Sequence, residues 1–266
     1  MHLKKMALIV EYDGARYHGF QLQAGLPTIQ GELEQAIGSL TGESLRVTCA
    51  SRTDSGVSAA GQVVSFRTES QHPPETFVRA LNYHLPDDIA VLEALEIPMD
   101  YDVRTKAYGR EYQYLLLNRR APSPIMRSRT HWVPVALDLE AMNKAASLLL
   151  GTHDFSPFAG PDLLPGIRTT KTLTHSALNR DGHIISFDVA GESFLHQQVR
   201  RMVGAILEVG LGKVTLDDFE RVRDCGKRGA AGPTLPPNGL TLLEVRYRDI
   251  RKALQDQEMS LVGSVS

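Results

Sequence analysis

The residues of this chain best suited to chemistry lie in Ser51-Arg52-Thr53-Asp54-Ser55-Gly56-Val57. A carboxylate on a short polar turn can attack an electrophilic carbon, stabilise a developing positive charge or remove a proton. Arg52 supplies a cation able to keep Asp54 ionised, and Gly56 allows a turn that a β-branched residue would resist. The plain alternative is an Asx turn closing a hairpin. Two further segments carry groups that could complete a site. If Arg110-Glu-Tyr112-Gln-Tyr114 is a strand, Arg110, Tyr112 and Tyr114 share one face, with a guanidinium beside two rings able to stack; packing on a core helix is the alternative. On a helix running from about Phe194 to Val209, the stripe Leu195, Val199, Met202, Val203 and Ile206 puts Arg200 at its edge, able to reach inward, and turns Arg201 to the far side. His153 and Asp154 are adjacent, so their side chains diverge, and a structural turn suits them better than a catalytic pair.

The elements that must position these groups are readable from periodicity. Ala7 to Tyr12 forms a buried strand ending in the turn Asp13-Gly14. A helix capped by Thr28 buries Ile29, Leu33, Ala36, Ile37 and Leu40 and stops at Gly42. Leu45, Val47 and Cys49 mark a strand entering the Asp54 loop, and Gln62 to Phe66 the strand leaving it. A second helix carries Phe77, Leu81 and Leu85, and a strand runs from Ile89 to Ile97. In the second half, a helix begins at Asp138 and stops at Gly151. Strands at Thr170 to Leu178 and His183 to Val189 precede the Arg200 helix, and a last strand ends at Tyr247. The order strand, helix, strand, strand, helix, strand in the first half predicts an α+β fold. The expected divisions are an N-terminal lobe over 1–104, a second over 105–248 and a peripheral polar tail over 249–266. With Asp54 in one lobe and Tyr112 and Arg200 in the other, a cleft between lobes is the expected location of the site.

The chain has 266 residues, 42% of them hydrophobic, enough to bury a substantial core. Its apolar runs, such as Ala7 to Val10, are far too short to span a bilayer, and no basic-then-apolar leader opens it, so the cytoplasm is the expected location. Two cysteines, Cys49 and Cys225, without paired Cys or His-Glu-x-x-His spacing, give no reason to expect a metal or other cofactor. The net charge is −2, but it is unevenly distributed. Between Arg104 and His131 stand Arg104, Lys106, Arg110, Arg119, Arg120, Arg127 and Arg129 against the single acid Glu111. Arg221, Arg223, Lys227 and Arg228 form another basic cluster, whereas Glu69 to Asp102 holds eight acids and only Arg79. Such segregation fits a face that meets a polyanion, or simply solvated surface.

Taken with Gly61-Gln62-Val63, the string around Asp54 resembles the catalytic loop of the TruA-type tRNA pseudouridine synthases. Further family-like phrases follow in order: Tyr12-Asp-Gly with Gly19-Phe-Gln, Ala80-Leu-Asn82-Tyr-His-Leu85-Pro86, Arg110-Glu-Tyr112, Thr152-His-Asp-Phe155, Phe194 to Gly204, and Leu235-Pro-Pro-Asn-Gly239-Leu240. The resemblance spans about Leu8 to Tyr247. It implies the pseudouridine synthase fold, two α/β lobes with antiparallel or mixed sheets flanked by helices. It also implies isomerisation of uridine to pseudouridine at positions 38, 39 and 40 of the tRNA anticodon stem-loop by a homodimer. Asp54 takes the place of the catalytic residue, Tyr112 that of the active-site tyrosine, and Arg200 that of the basic partner of the aspartate; Arg52 and Arg110 join the substrate-binding set. Ser58 stands where a histidine is usual, and Tyr101-Asp102-Val103-Arg104 replaces a Phe-His-Ala-Arg phrase. A non-catalytic RNA-binding protein of the same fold and an aspartate-dependent glycosidase are the competing readings.

Overall fold

The computed structural model describes residues 3–161, 163 and 166–250. The chain divides into two compact units, one comprising the chain up to Tyr108 and again from Leu243, the other Gly109–Leu242. Residues 105–108 join the first unit through their backbone and that of their neighbours. Lys106 N–H donates to Asp102 O and Tyr108 N–H to Arg246 O, each at 3.0 Å. The expected tail lies outside the described residues beyond 250.

The first unit orders its elements as β1 (Lys4–Tyr12), α1 (Ile29–Thr41), β2 (Thr48–Cys49), β3 (Ser58–Thr68), α2 (Pro74–His84) and β4 (Ile89–Ile97). Within it β1 lies between β4 and β3, antiparallel to both, and β2 pairs with β3. The expected caps of α1 are present: Thr28 Oγ1 accepts from Gly31 N, and Gly42 closes the helix at φ 73°. Met6, Leu8, Val64 and Phe66 are buried, and Phe66 meets Phe77 of α2 with ring centroids 5.8 Å apart. Asn82 of α2 binds both backbone groups of Val91, donating to its carbonyl at 2.8 Å and accepting from its N–H at 2.7 Å. The strand expected through Leu45 and Val47 is shorter than its alternation suggests. Glu34 of α1 draws this segment away, accepting from Val47 N at 3.0 Å and from Arg46 at 3.0 Å, which leaves only Thr48 and Cys49 to pair.

The second unit contains β5 (Gly109–Asn118), β6 (His131–Val133), α3 (Leu139–Ser147), β7 (Gly151–Asp154), β8 (Thr170–Asp181), β9 (Ile184–Gly191), α4 (Gln198–Gly210) and α5 (Leu216–Asp224). Its strands run in the order β5, β9, β8, β7, antiparallel throughout, while β6 adds to β5 in parallel. Strand β10 (Leu240–Arg246) carries the chain from this unit into the first. The α+β class is the one expected. Gly210 of α4 leaves room for α3: a Cβ there would come within 2.5 Å of the Met142 side chain. Among the described residues no helix is long and apolar enough to cross a membrane.

Two boundaries differ from the periodicity. Helix α3 stops at Ser147, short of Gly151, with Arg223 Nη1 donating to Leu148 O at 2.8 Å just past its end. Helix α4 begins four residues later than expected. Gln197 adopts φ 60°, outside the helical region, and the buried Gln198 side chain accepts from Leu195 N at 2.8 Å. Asp154 ends β7, and its carboxylate accepts from Ser156 N and Oγ, so it starts the following turn with no contact to His153 needed.

Candidate active site

The Asp54 loop occupies residues 50–57 between β2 and β3, and the segment after β1 clamps it. The Thr53 hydroxyl bonds to the Tyr12 hydroxyl at 2.8 Å, and both residues are buried. Thr53 O accepts from Phe20 N at 3.1 Å, and Gly56 N donates to Tyr17 O at 3.2 Å. Gln62 of β3 takes both backbone groups of Ser51, donating to its carbonyl at 2.5 Å and accepting from its N–H at 3.3 Å. Gly56 turns the chain at φ 78°, a conformation favouring glycine, and Val57 N closes the turn on Asp54 O at 3.1 Å. An Asx-type hairpin would need none of these long-range contacts. The result is a half-buried carboxylate on a backbone that other parts of the unit fix on both sides.

Gly14 makes the closest of these approaches. A Cβ at this position would lie 2.1 Å from Val57 O, so the two backbones touch as only glycine permits. Gly14 N donates to Ser58 Oγ at 3.1 Å. The serine that departs from the family phrase therefore ties the end of the loop to the turn after β1. Gly19, at φ 87°, backs onto Thr53 O in the same way, a Cβ there falling 2.9 Å from it. In sequence, Tyr12-Asp-Gly and Gly19-Phe20 are family-like phrases without an assigned role. The usable signal is a pair of glycines, Gly14 and Gly19, in a segment that must meet a loop about 40 residues further on.

Arg52 is exposed and contributes positive charge near Cys49, whose thiol burial pushes up to about 11. That thiol is protonated at neutral pH and is no nucleophile.

Strand β5 buries Arg110, Tyr112, Tyr114 and Leu116, the face expected from alternation. Arg110 does not present its guanidinium to solvent, being 8% exposed, and Nη1 donates to Glu192 O at 2.8 Å. Tyr112 is buried too, with Phe194 standing edge-on to its ring at 5.2 Å and 81°. Phe194 precedes α4; the periodicity places it inside the helix and gives no sign of this ring contact. Tyr114 is fully buried, and its hydroxyl donates to Pro236 O at 2.8 Å; burial raises its pKa above that of an ordinary phenol. Arg200 Nε donates to the neighbouring carbonyl, Leu235 O, at 2.7 Å. The Leu235-Pro236 backbone thus gathers Tyr114 and Arg200, while Tyr112 sits with Phe194. Arg201 does not face away. It grips the same loop, donating to Gly229 O, Ala231 O and Thr234 Oγ1, and burial lowers its pKa.

The basic stretch from Arg104 to Arg129 is not one element. Arg104 and Lys106 belong to the first unit, Arg110 is buried, and Arg119 is turned onto its own loop, bonding Ala121 O and Pro122 O. Arg120, Arg127 and Arg129 are exposed.

Because Tyr112 is largely buried, Tyr112→Ala would cost about 3–5 kcal/mol of stability and could not report on binding alone. Tyr112→Phe keeps the ring and its contact with Phe194. Its affinity for tRNA, measured by filter binding, is expected within about twofold of wild type if the ring does the stacking. A loss beyond tenfold would assign the contact to the phenol oxygen.

Comparison with known proteins bears on these residues directly. A family model described as tRNA pseudouridine synthase matches residues 8–106 and 145–248, which include Asp54 and Arg200 but not Tyr112. A tRNA pseudouridine synthase A of Acetivibrio thermocellus is 45% identical over 247 residues, covering 92% of this chain and 100% of that protein. One of Myxococcus xanthus is 41% identical over 248 residues, with 93% of each chain covered, and one of Neisseria gonorrhoeae is 40% identical over 245 residues, with 92% of each covered. With both stretches matched and these relatives covered nearly end to end, the chain belongs to the tRNA pseudouridine synthase family.

Proposed function

We propose that this protein isomerises uridine to pseudouridine in tRNA, at positions 38, 39 and 40 of the anticodon stem-loop, with Asp54 as the reacting carboxylate. The observation that carries this reading is the Asp54 loop, a carboxylate held on a fixed backbone in a chain of this family. The reaction breaks the bond from C1′ of the ribose to N1 of uracil, turns the base and joins C1′ to C5. The proton leaves C5, and N1 gains one. Cleavage places positive charge on the sugar, so an ionised carboxylate at C1′ stabilises or captures it, and the same group can take the C5 proton. Tyr112, braced by Phe194, stacks on the extruded base, and Arg200 and Arg52 favour the ionised form of the aspartate. Arg110 supports the strand through Glu192. The protein acts as a homodimer, a part of the reading that sedimentation as a monomer at micromolar concentration would remove.

The test is tritium release from tRNA labelled at uridine C5, followed by mapping of the product. Release with pseudouridine confined to 38–40 is the expected result. Tight binding without release would favour a non-catalytic RNA-binding protein of this fold. Base release without isomerisation would favour a glycosidase.

A further inference from the structure

The first unit contains a cavity of about 390 Å³ lined by Lys5, Arg46, Thr48, Ser65, Arg67 and Asp102, together with Leu45 and Phe66. Its floor follows from strand register. Lys5 of β1 pairs with Arg67 of β3, and Thr48 of β2 pairs with Ser65, two residues before Arg67. These four residues therefore share one face of the strands. The opposite face carries Met6, Val64 and Phe66, and Phe66 is the residue that α2 covers.

The cavity holds three cations and two hydroxyls against one carboxylate. Lys5 Nζ is partly engaged, donating to Tyr101 O at 2.7 Å, and Arg46 pairs with Glu34 at 3.0 Å. The exposed guanidinium of Arg67 and the hydroxyl of Ser65 have no hydrogen-bond partner among the described residues. Asp102 opposes an anion, although its Oδ1 already accepts from Arg104 N at 2.7 Å and Thr105 N at 3.2 Å. Asp54 lies six positions after Thr48, so Thr48 is within about 20 Å of it, the reach of that many extended residues. Arg52 and Arg104 both place charge near Cys49, on this connecting stretch.

We propose that this cavity is a backbone-phosphate subsite, receiving an RNA phosphate a few nucleotides from the uridine presented to Asp54. The inference rests on the proposed function. Phosphate fits because two guanidiniums, an ammonium and two hydroxyls line one space, with Leu45 and Phe66 as its apolar lining. Asp102, at a position where the family phrase has histidine, moderates the attraction.

Wild-type tritium release is measured first; if wild type makes no pseudouridine, the functional reading fails by itself. With an active wild type, Arg67→Gln is expected to weaken tRNA binding about two- to fivefold. It should also flatten the slope of log affinity against log salt by about 0.7–0.9, one phosphate contact. Arg67→Lys should restore most of the affinity. Asp102→Asn keeps the oxygen that accepts the turn N–H groups but removes the charge, and should tighten binding about 1.5- to 5-fold, a gain that a merely structural role would not give. An unchanged salt slope in Arg67→Gln, or no tightening in Asp102→Asn, would overturn the subsite while leaving the isomerase reading intact. Inorganic phosphate at constant ionic strength should compete weakly with tRNA on the wild type and less on Arg67→Gln, because free and RNA phosphate would share the same donors. Phosphate that bound through Arg67 without displacing tRNA would make the cavity a site for free phosphate instead.

Discussion

Asp54→Asn is expected to lower single-turnover pseudouridine formation by at least about 10⁴-fold, the scale seen when a reacting side chain is removed from an otherwise intact site. The amide has the shape of the carboxylate but cannot carry its charge, attack C1′ or accept the C5 proton. The loop is anchored through other groups: the Thr53 and Tyr12 hydroxyls, Thr53 O with Phe20 N, Gly56 N with Tyr17 O, and Gln62 with Ser51. Thermal unfolding should therefore shift by no more than about 1 kcal/mol, and tRNA affinity should be retained. Tritium release within tenfold of wild type would take the carboxylate out of the mechanism.

Gly14→Ala is expected to produce the second largest effect, although Gly14 touches no substrate. The added methyl would sit 2.1 Å from Val57 O and 2.5 Å from Val57 C, and both are backbone atoms. Neither can swing aside as a side-chain end would, so the turn after β1 and the Asp54 loop must separate. Such overpacking costs roughly 1–3 kcal/mol of stability. A displacement of the loop by about 1 Å costs about 100-fold in turnover, because the carboxylate no longer meets the sugar in line. Measured on folded protein at saturating tRNA, the loss should fall on kcat more than on KM. Wild-type turnover in this variant would mean that the clamp does not set the position of Asp54.

Helices with wide apolar stripes and side-chain caps were legible in the sequence. Thr28 and Gly42 bound α1 as read, because a cap is a local interaction between neighbouring residues. Helix α5 went unseen, although Thr215 caps it, because Phe219 is its one buried residue and a single apolar contact makes no period. Strand β6 was missed for a similar reason, being three residues long and defined by its partner β5. The late start of α4 depends on the buried side chain of Gln198, which the apolar stripe does not register. Of the candidate site, the turn that carries Asp54 and the buried alternation of β5 could be read, since both are properties of short stretches. The clamp by Tyr12, Gly14, Tyr17 and Phe20 could not, because it joins segments about 40 residues apart, and neither could the grip of Gln62 on Ser51 across the loop. Reading Arg201 as outward failed likewise: its three acceptors all lie in the loop 229–234, which helical periodicity does not place.

Loops usually open at little free-energy cost, independently of the strands they connect. The one bearing Asp54 is fastened to the end of β1 and, through Gln62, to the interior of β3, so freeing it would strip buried hydroxyl and amide groups of their partners. Its amides should accordingly exchange with solvent only when those two strands part. Under the proposed function the carboxylate would wait in a set position, and the rearrangement needed to bring sugar and aspartate together would fall on the RNA. Selection among uridines would then be a matter of how readily each nucleotide leaves its stack, which favours those at a pliable stem end over those inside a stiff duplex.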